Sequence, residues 1–203
     1  MARKTREESE QTRQDILNVA LDLFHARGYA RTTLEQIARG AGVTRGAIYW
    51  HFKDKVDLFL GLKEDVERST ETRLEDLLLR TVNELSDMRD NLLRLFRCLE
   101  NDERSRKYFE LIFFRAEYTE ELQPIMDQFR LKLQRLEQKD AEDFARLQQA
   151  GIIAARHDGA QIALALRCLV LGLLHTWLIN VDEFQIVRKG GELIEQYLES
   201  LRG

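Results

Sequence analysis

Pro124 is the only proline in a chain of 203 residues, so almost nowhere is a helix obliged to stop for want of a backbone donor. Apolar residues recur at spacings of three and four from Ile16 to Leu201, the period of a helix with one buried face. With 44 % hydrophobic and 33 % charged residues, the chain can cover a sizeable core with a soluble surface. The pattern predicts an all-α protein of about nine helices. Expected spans include a first helix opened by Thr12 and Asp15 after a polar arm, residues 90–101, 103–117 and 124–150, an apolar helix to Ile179, and a last helix over 183–201.

Within that frame the segment from Thr32 to Lys55, TTLEQIARGAGVTRGAIYWHFKDK, is the most specific. Thr33 with Gln36 three residues on reads as a capping box, and Leu34, Ile37, Ala38 and Ala41 share a face. Gly42 ends that helix because glycine enters the left-handed region without a Cβ clash. Thr44 then caps a second short helix whose Ile48 and Phe52 turn inward. Small residues at Ala38 and Ala41 let the two helices cross closely. That is helix-turn-helix logic, and it presents Arg45, Gly46, Tyr49 and His51 outward, with Arg45 at the end that enters a major groove.

The run RGAIYWHFKDKVDLF, after a helix beginning at TTLEQIA and a start MARKTREESEQTRQDIL, resembles the DNA-binding head of the TetR family of bacterial repressors. It is similar in particular to the branch that controls multidrug efflux pumps. The resemblance implies a DNA-binding domain over residues 1–53 with a basic arm (Arg3, Lys4, Arg6), and a ligand-binding and dimerisation domain over 54–203. It implies DNA contacts through Thr33, Thr44, Arg45, Gly46, Tyr49, His51 and Lys55, with Tyr29 and Thr32 near the DNA backbone. Arg45 is the expected base reader and the others phosphate contacts. Lys55 is expected to stand exposed beside the cap formed by Asp54.

For the C-terminal part the resemblance implies a chamber for a lipophilic, often cationic inducer. Phe96, Phe113, Phe129, Trp177 and Tyr118 are the candidate walls, and Glu67 and Glu117 the carboxylates that would meet a cation. The run from Ile162 to Ile179 is apolar nearly all round and needs neighbours on every side. The resemblance implies that the last two helices pair with those of a second copy through Leu169, Val170, Leu173, Trp177, Leu193 and Tyr197.

Ten Lys or Arg and eight Asp or Glu occupy residues 1–60, against 21 and 27 over the remainder, so a mildly basic head adjoins an acidic body. The net charge of −4 argues against nucleic-acid binding over the whole surface. Cys98 and Cys168 lack metal-ligand spacing, and the four histidines form no catalytic motif. The expectation is therefore a homodimeric, ligand-responsive repressor that binds double-stranded operator DNA, with no enzyme activity, cofactor or metal. Arg167 and His175 interrupt the apolar run, which favours a buried helix over a membrane span, and the start lacks a signal peptide's apolar run, so the expected place is the cytoplasm. A TetR-type regulator answering to an unrelated metabolite and a helical interaction module without DNA binding are the alternatives.

Overall fold

The computed structural model describes residues 6–69, 79–115 and 120–203, without the side chains of Glu67 and Ser69. Among the described residues the chain forms nine helices and no strand: α1 (Arg6–Arg27), α2 (Leu34–Gly40), α3 (Arg45–His51), α4 (Lys55–Ser69), α5 (Leu85–Asn101), α6 (Glu103–Glu110, running into a π-helical turn at Leu111–Arg115), α7 (Gln123–Gln149), α8 (Gly159–Ile179) and α9 (a π-helical turn at Ile186–Gly190 followed by Gly191–Glu199). They divide into two compact units. One comprises residues 1–69 and 104–126; the other comprises 70–103 and 127–203. The expected break after residue 53 is therefore not where the contacts divide, because α4 and the α6 segment both belong with the head.

The first unit is organised by α1. Ile16, Leu17, Ala20, Leu21 and Phe24 are all buried, and the chain leaves the helix through Gly28 at φ +83°. Phe24, Tyr29 and Phe59 make a triangle of rings with centroids 5.3, 5.6 and 5.7 Å apart, and Tyr108 stands 6.4 Å from Phe59. Each such ring pair adds about 0.5–1.5 kcal/mol beyond the area it buries. Leu111, Leu122 and Ile125 complete the same core, which explains why α6 belongs to this unit. Lys107 to Asp22 at 2.9 Å, Arg104 to Asp65 at 2.5 Å, and a His25–Glu110 pair fasten α6 to α1 and α4 at the rim.

Helix α1 begins at least six residues earlier than Thr12. Glu7 and Glu8 in its first turn suit the positive end of the helix. Thr12 is 8 % exposed and its hydroxyl donates back to the Glu8 carbonyl at 2.7 Å, so it lies inside the helix and does not cap it. Arg6 lies in the first turn; Arg3 and Lys4 fall outside the described residues.

In the second unit, α5 starts at Leu85, before the expected residue 90. The reason is a box at Glu84, where Asp87 accepts from the Asn83 and Glu84 amides at 2.9 and 3.1 Å. Met88, Leu92, Leu95, Phe96 and Leu99 form its buried stripe. Helix α9 comes close to it: a Cβ on Gly191 would sit 2.7 Å from Leu93, and one on Gly190 would sit 3.4 Å from Phe96. Asp158 caps α8 by accepting from the Gln161 amide at 2.9 Å. Helix α8 is long and apolar enough to cross a bilayer, but its one internal cation, Arg167, is paired with Glu137 of α7 and seven of its residues are buried in the unit.

Candidate nucleic-acid interface

The turn between α2 and α3 is built by local chemistry. The Thr33 hydroxyl accepts from the Gln36 amide at 3.2 Å while the Gln36 carboxamide accepts from the Thr33 amide at 2.9 Å. Gly42 takes φ +65°, and the Val43 amide donates to the Ala38 carbonyl at 3.0 Å. The Thr44 hydroxyl then accepts from the Ala47 amide at 3.2 Å, and α3 begins. Ile37, Ala38, Ile48 and Phe52 close the core beneath. Each capping hydroxyl has used an acceptor lone pair, so its own proton remains available to a phosphate oxygen.

The outer side of α3 carries Arg45, Gly46 and Tyr49. One Arg45 guanidinium nitrogen donates to the Tyr49 hydroxyl at 3.1 Å, and the guanidinium carbon lies 5.6 Å from the Tyr49 ring centre. The bond to Tyr49 raises the Arg45 pKa, the acceptor stabilising an already charged group. Tyr49 thus touches Arg45 as well as solvent; it restrains a fork that would otherwise sample many rotamers. Gly46 is exposed with open space around it, the nearest atom to an added Cβ being the Thr44 hydroxyl at 3.8 Å. His51 is half-buried, its ring 6.3 Å from that of Phe52.

Trp50 was not among the expected contacts, yet it is 82 % exposed. It stands on the same short helix as the exposed Arg45 and Tyr49. Its position was legible: Ile48 and Phe52 set the inward direction of α3, and Trp50 lies two residues from each.

Lys55 departs from expectation. Its side chain is only 21 % exposed, and its ammonium donates to the Tyr29 and Thr32 carbonyls at 3.2 and 3.3 Å and sits 4.1 Å from the Tyr29 ring centre. It is a cation that holds the loop between α1 and α2, because that loop's carbonyls have no helical donors. Asp54 does cap α4, accepting from the Asp57 amide at 2.8 Å. Tyr29 and Thr32 are both fully buried, the Thr32 hydroxyl donating to the Gly28 carbonyl at 2.9 Å, so their side chains face the core and not a phosphate. Burial, with the Glu121 carboxylate nearby, holds the Tyr29 phenol far above its usual range.

The expected ligand walls are not gathered in one compact unit. Phe113 is half-buried in the first, whereas Phe96 and Trp177 are fully buried in the second and Phe129 is half-buried there. Glu117, Tyr118 and the Glu67 side chain lie outside the described residues. A recess that sequence reasoning missed lies in the second unit, between α5 and α7, lined by Met88, Asn91, Leu92, Leu136, Lys139 and Asp140.

The residues expected at a dimer face differ in how much surface they leave uncovered. Trp177 is 1 % and Leu173 is 6 % exposed in a single chain, so both are core residues that have little surface left for a partner. Leu169 and Val170 are half-buried, and Tyr197 is tied inward, donating from its hydroxyl to the Ile162 carbonyl at 3.2 Å. The exposed stripe of α8 is instead Leu164, Cys168, His175 and Ile179, and on α9 Leu193 remains exposed as expected. Four positions at spacings of four, seven and four lie along one side of a helix.

Comparison with known proteins covers nearly the whole chain. Residues 16–62 match the profile described as bacterial regulatory proteins, tetR family, and residues 83–202 match that of the MAATS-type transcriptional repressor C-terminal region. The HTH-type transcriptional regulator AcrR of Shigella flexneri is 34 % identical, over 98 % of this chain and 94 % of its own. The crystal structure of NalD, the secondary repressor of the MexAB-OprM multidrug efflux pump in Pseudomonas aeruginosa, superposes with a TM-score of 0.83 at 32 % identity, covering 97 % of this chain and 98 % of that one. A triclosan complex of SmeT, a repressor from Stenotrophomonas maltophilia, gives a TM-score of 0.76 at 29 % identity over 94 % and 91 % of the two chains.

Proposed function

This chain belongs to the TetR family of bacterial regulatory proteins, and on that premise we propose that it represses a multidrug efflux operon and leaves its operator when a lipophilic small molecule binds the C-terminal region. The observation that carries the DNA reading is the outer side of α3, where Tyr49 holds the exposed Arg45 fork and Trp50 stands uncovered. The efflux assignment is supported by relatives of nearly full length, NalD among them, and the triclosan complex of SmeT supports a lipophilic effector.

In this reading a homodimer sets two copies of α3 into successive major grooves about 34 Å apart on a palindromic operator, in the cytoplasm. Arg45 donates its fork to a base edge, guanine O6 and N7 being the best match. Thr33, Thr44 and Tyr49 donate to phosphates and set the register. The effector must bind the DNA-free arrangement better than the DNA-bound one, since equal affinity for both would release nothing.

The test is selection of genomic fragments by the purified full chain, followed by fluorescence anisotropy on the winning duplex. A palindromic site upstream of a pump operon, released by triclosan or a similar lipophilic compound, is the expected result. Enrichment of no sequence over bulk DNA would overturn the reading.

A further inference from the structure

Gly46 is a glycine that the rest of the described chain does not require. Its φ lies outside the left-handed region, and an added Cβ would meet only the Thr44 hydroxyl oxygen, at 3.8 Å. Glycine inside a helix weakens it relative to alanine. Neither backbone conformation nor packing among the described residues accounts for it. What remains is close approach of α3 by a body outside the chain.

Trp50 stands one helical turn further along the same side. Ile48 and Phe52 are buried, and Ala47 and His51 are half-buried. The outward side of α3 is therefore left to Arg45, Gly46, Tyr49 and Trp50. Arg45 and Tyr49 are its polar part and bond to each other at 3.1 Å. Trp50, 82 % exposed, is its large apolar part. Helical side chains lean toward the N-terminus of their helix, so an indole at position 50 covers the turn that carries Gly46. Whatever comes close to the bare backbone at Gly46 also meets the Trp50 ring.

With a major groove as that body, we infer that Trp50 reads a thymine, its indole packing against the C5-methyl group of the base. Among the groups that the four bases present in the major groove, this methyl is the apolar one; the others are hydrogen-bond donors and acceptors. An indole carries one N–H and no acceptor, so the amino groups of cytosine and adenine find nothing in it to bond. Thymine is the base whose edge matches an apolar ring face. Arg45 and Trp50 lie about 7.5 Å apart along the helix axis at 1.5 Å per residue. That is the length of about two base-pair steps, so the thymine falls within about two pairs of the base that Arg45 reads. The inference rests on the DNA-binding reading above and adds a second base to it.

The test begins by selecting random duplexes on the purified full chain. The enriched motif should hold a thymine within about two pairs of a guanine. That duplex is then resynthesised with deoxyuridine, which lacks only the methyl, in place of one thymidine at a time. At one position in each half-site the exchange should weaken wild-type binding about fourfold, the worth of one buried methyl group. Trp50→Ala should bind the thymidine and deoxyuridine duplexes equally. Trp50→Phe keeps an apolar ring without the N–H and should keep most of the discrimination. Gly46→Ala should melt no lower than the wild type and still bind the motif more weakly. Thermal melts establish that the Trp50 variants are folded. Wild-type indifference to deoxyuridine at every position would overturn the inference, as would discrimination that survives Trp50→Ala. Complete loss of discrimination in Trp50→Phe would do so too, because the indole N–H would then be the contact. A guanine-bearing motif that ignores methyl groups removes this inference and leaves the DNA-binding reading standing; enrichment of no motif removes both.

Discussion

The outer side of α3 and the interior of the second unit use the same side-chain chemistry in opposite surroundings. On α3, the Arg45 guanidinium meets one neutral hydroxyl on its own helix and otherwise faces solvent. Between α5 and α7, Lys139 and Asp140 sit beside Met88, Leu92 and Leu136; their ion pairs are with residues of α7 itself, and α5 supplies the apolar walls Met88 and Leu92. The contrast teaches where each kind of group can be found from sequence. A surface cation that reads DNA is set by its position on one short helix. A buried carboxylate acquires its character only when a second helix removes its water.

The largest effect should come from breaking the boundary between single-chain core and exposed stripe in the second unit. Ile179→Asp with Leu193→Asp places two charges on surfaces that are 66 % and 43 % exposed in one chain. If these cover a partner, sedimentation should change from dimer to monomer while helicity by circular dichroism is kept. A stable double-mutant dimer would remove this stripe as the interface.

In the first unit, Phe24→Ala empties the centre of the Phe24–Tyr29–Phe59 triangle and should cost about 3–5 kcal/mol in urea unfolding. Trp50→Ala is the matched surface change. It should alter stability by less than about 0.5 kcal/mol and still weaken operator binding, because a tryptophan 82 % exposed has little of its surface packed against the described residues. Loss of stability without loss of binding would reverse the comparison.

Arg45→Ala should weaken specific binding by about 1–3 kcal/mol and relax preference at one base pair. Tyr49→Phe removes the 3.1 Å bond to the guanidinium and should reproduce part of that relaxed preference, about 0.5–1.5 kcal/mol at the same base pair. A uniform loss across all operator variants would make Tyr49 a phosphate contact alone. Lys55→Met separates anchoring from DNA contact. Losing two carbonyl bonds should lower stability by about 1–2 kcal/mol and leave the salt dependence of DNA binding unchanged. A salt slope reduced by about one unit would return Lys55 to the phosphate contacts.

A pH dependence of the second unit is also expected. The Asp140 pKa is raised in the folded chain from an ordinary 3.8 to about 6. The folded state then holds the proton more tightly than the unfolded one. Its contribution is fully present below about pH 4 and is lost as pH rises to about 6. Asp140→Asn should remove that fall from a series of melts between those values. An unchanged series would mean that Asp140 is solvated like a surface carboxylate.

The sequence alone determined several features that depend on neighbours within about four residues. Thr33 with Gln36, Gly42, Thr44 and Asp158 each did locally what their chemistry allows, so the helix-turn-helix, the helical class and the outward direction of Arg45 were legible. Where a local signal was misread, a second local bond competed, as when the Thr12 hydroxyl turned back to Glu8. What only the tertiary structure decided were partners far apart in the chain. Lys55 looks like any exposed lysine until the loop 26 residues earlier brings two bare carbonyls to it. Trp177 and Leu173 lie on a helix that is apolar all round, and periodicity cannot say which side faces its own core. Asp140 and Asn91 each look like solvated residues in sequence. Their recess exists because α5 and α7 pack side by side, and burial changes the cost of a charge by more than any neighbour in sequence can.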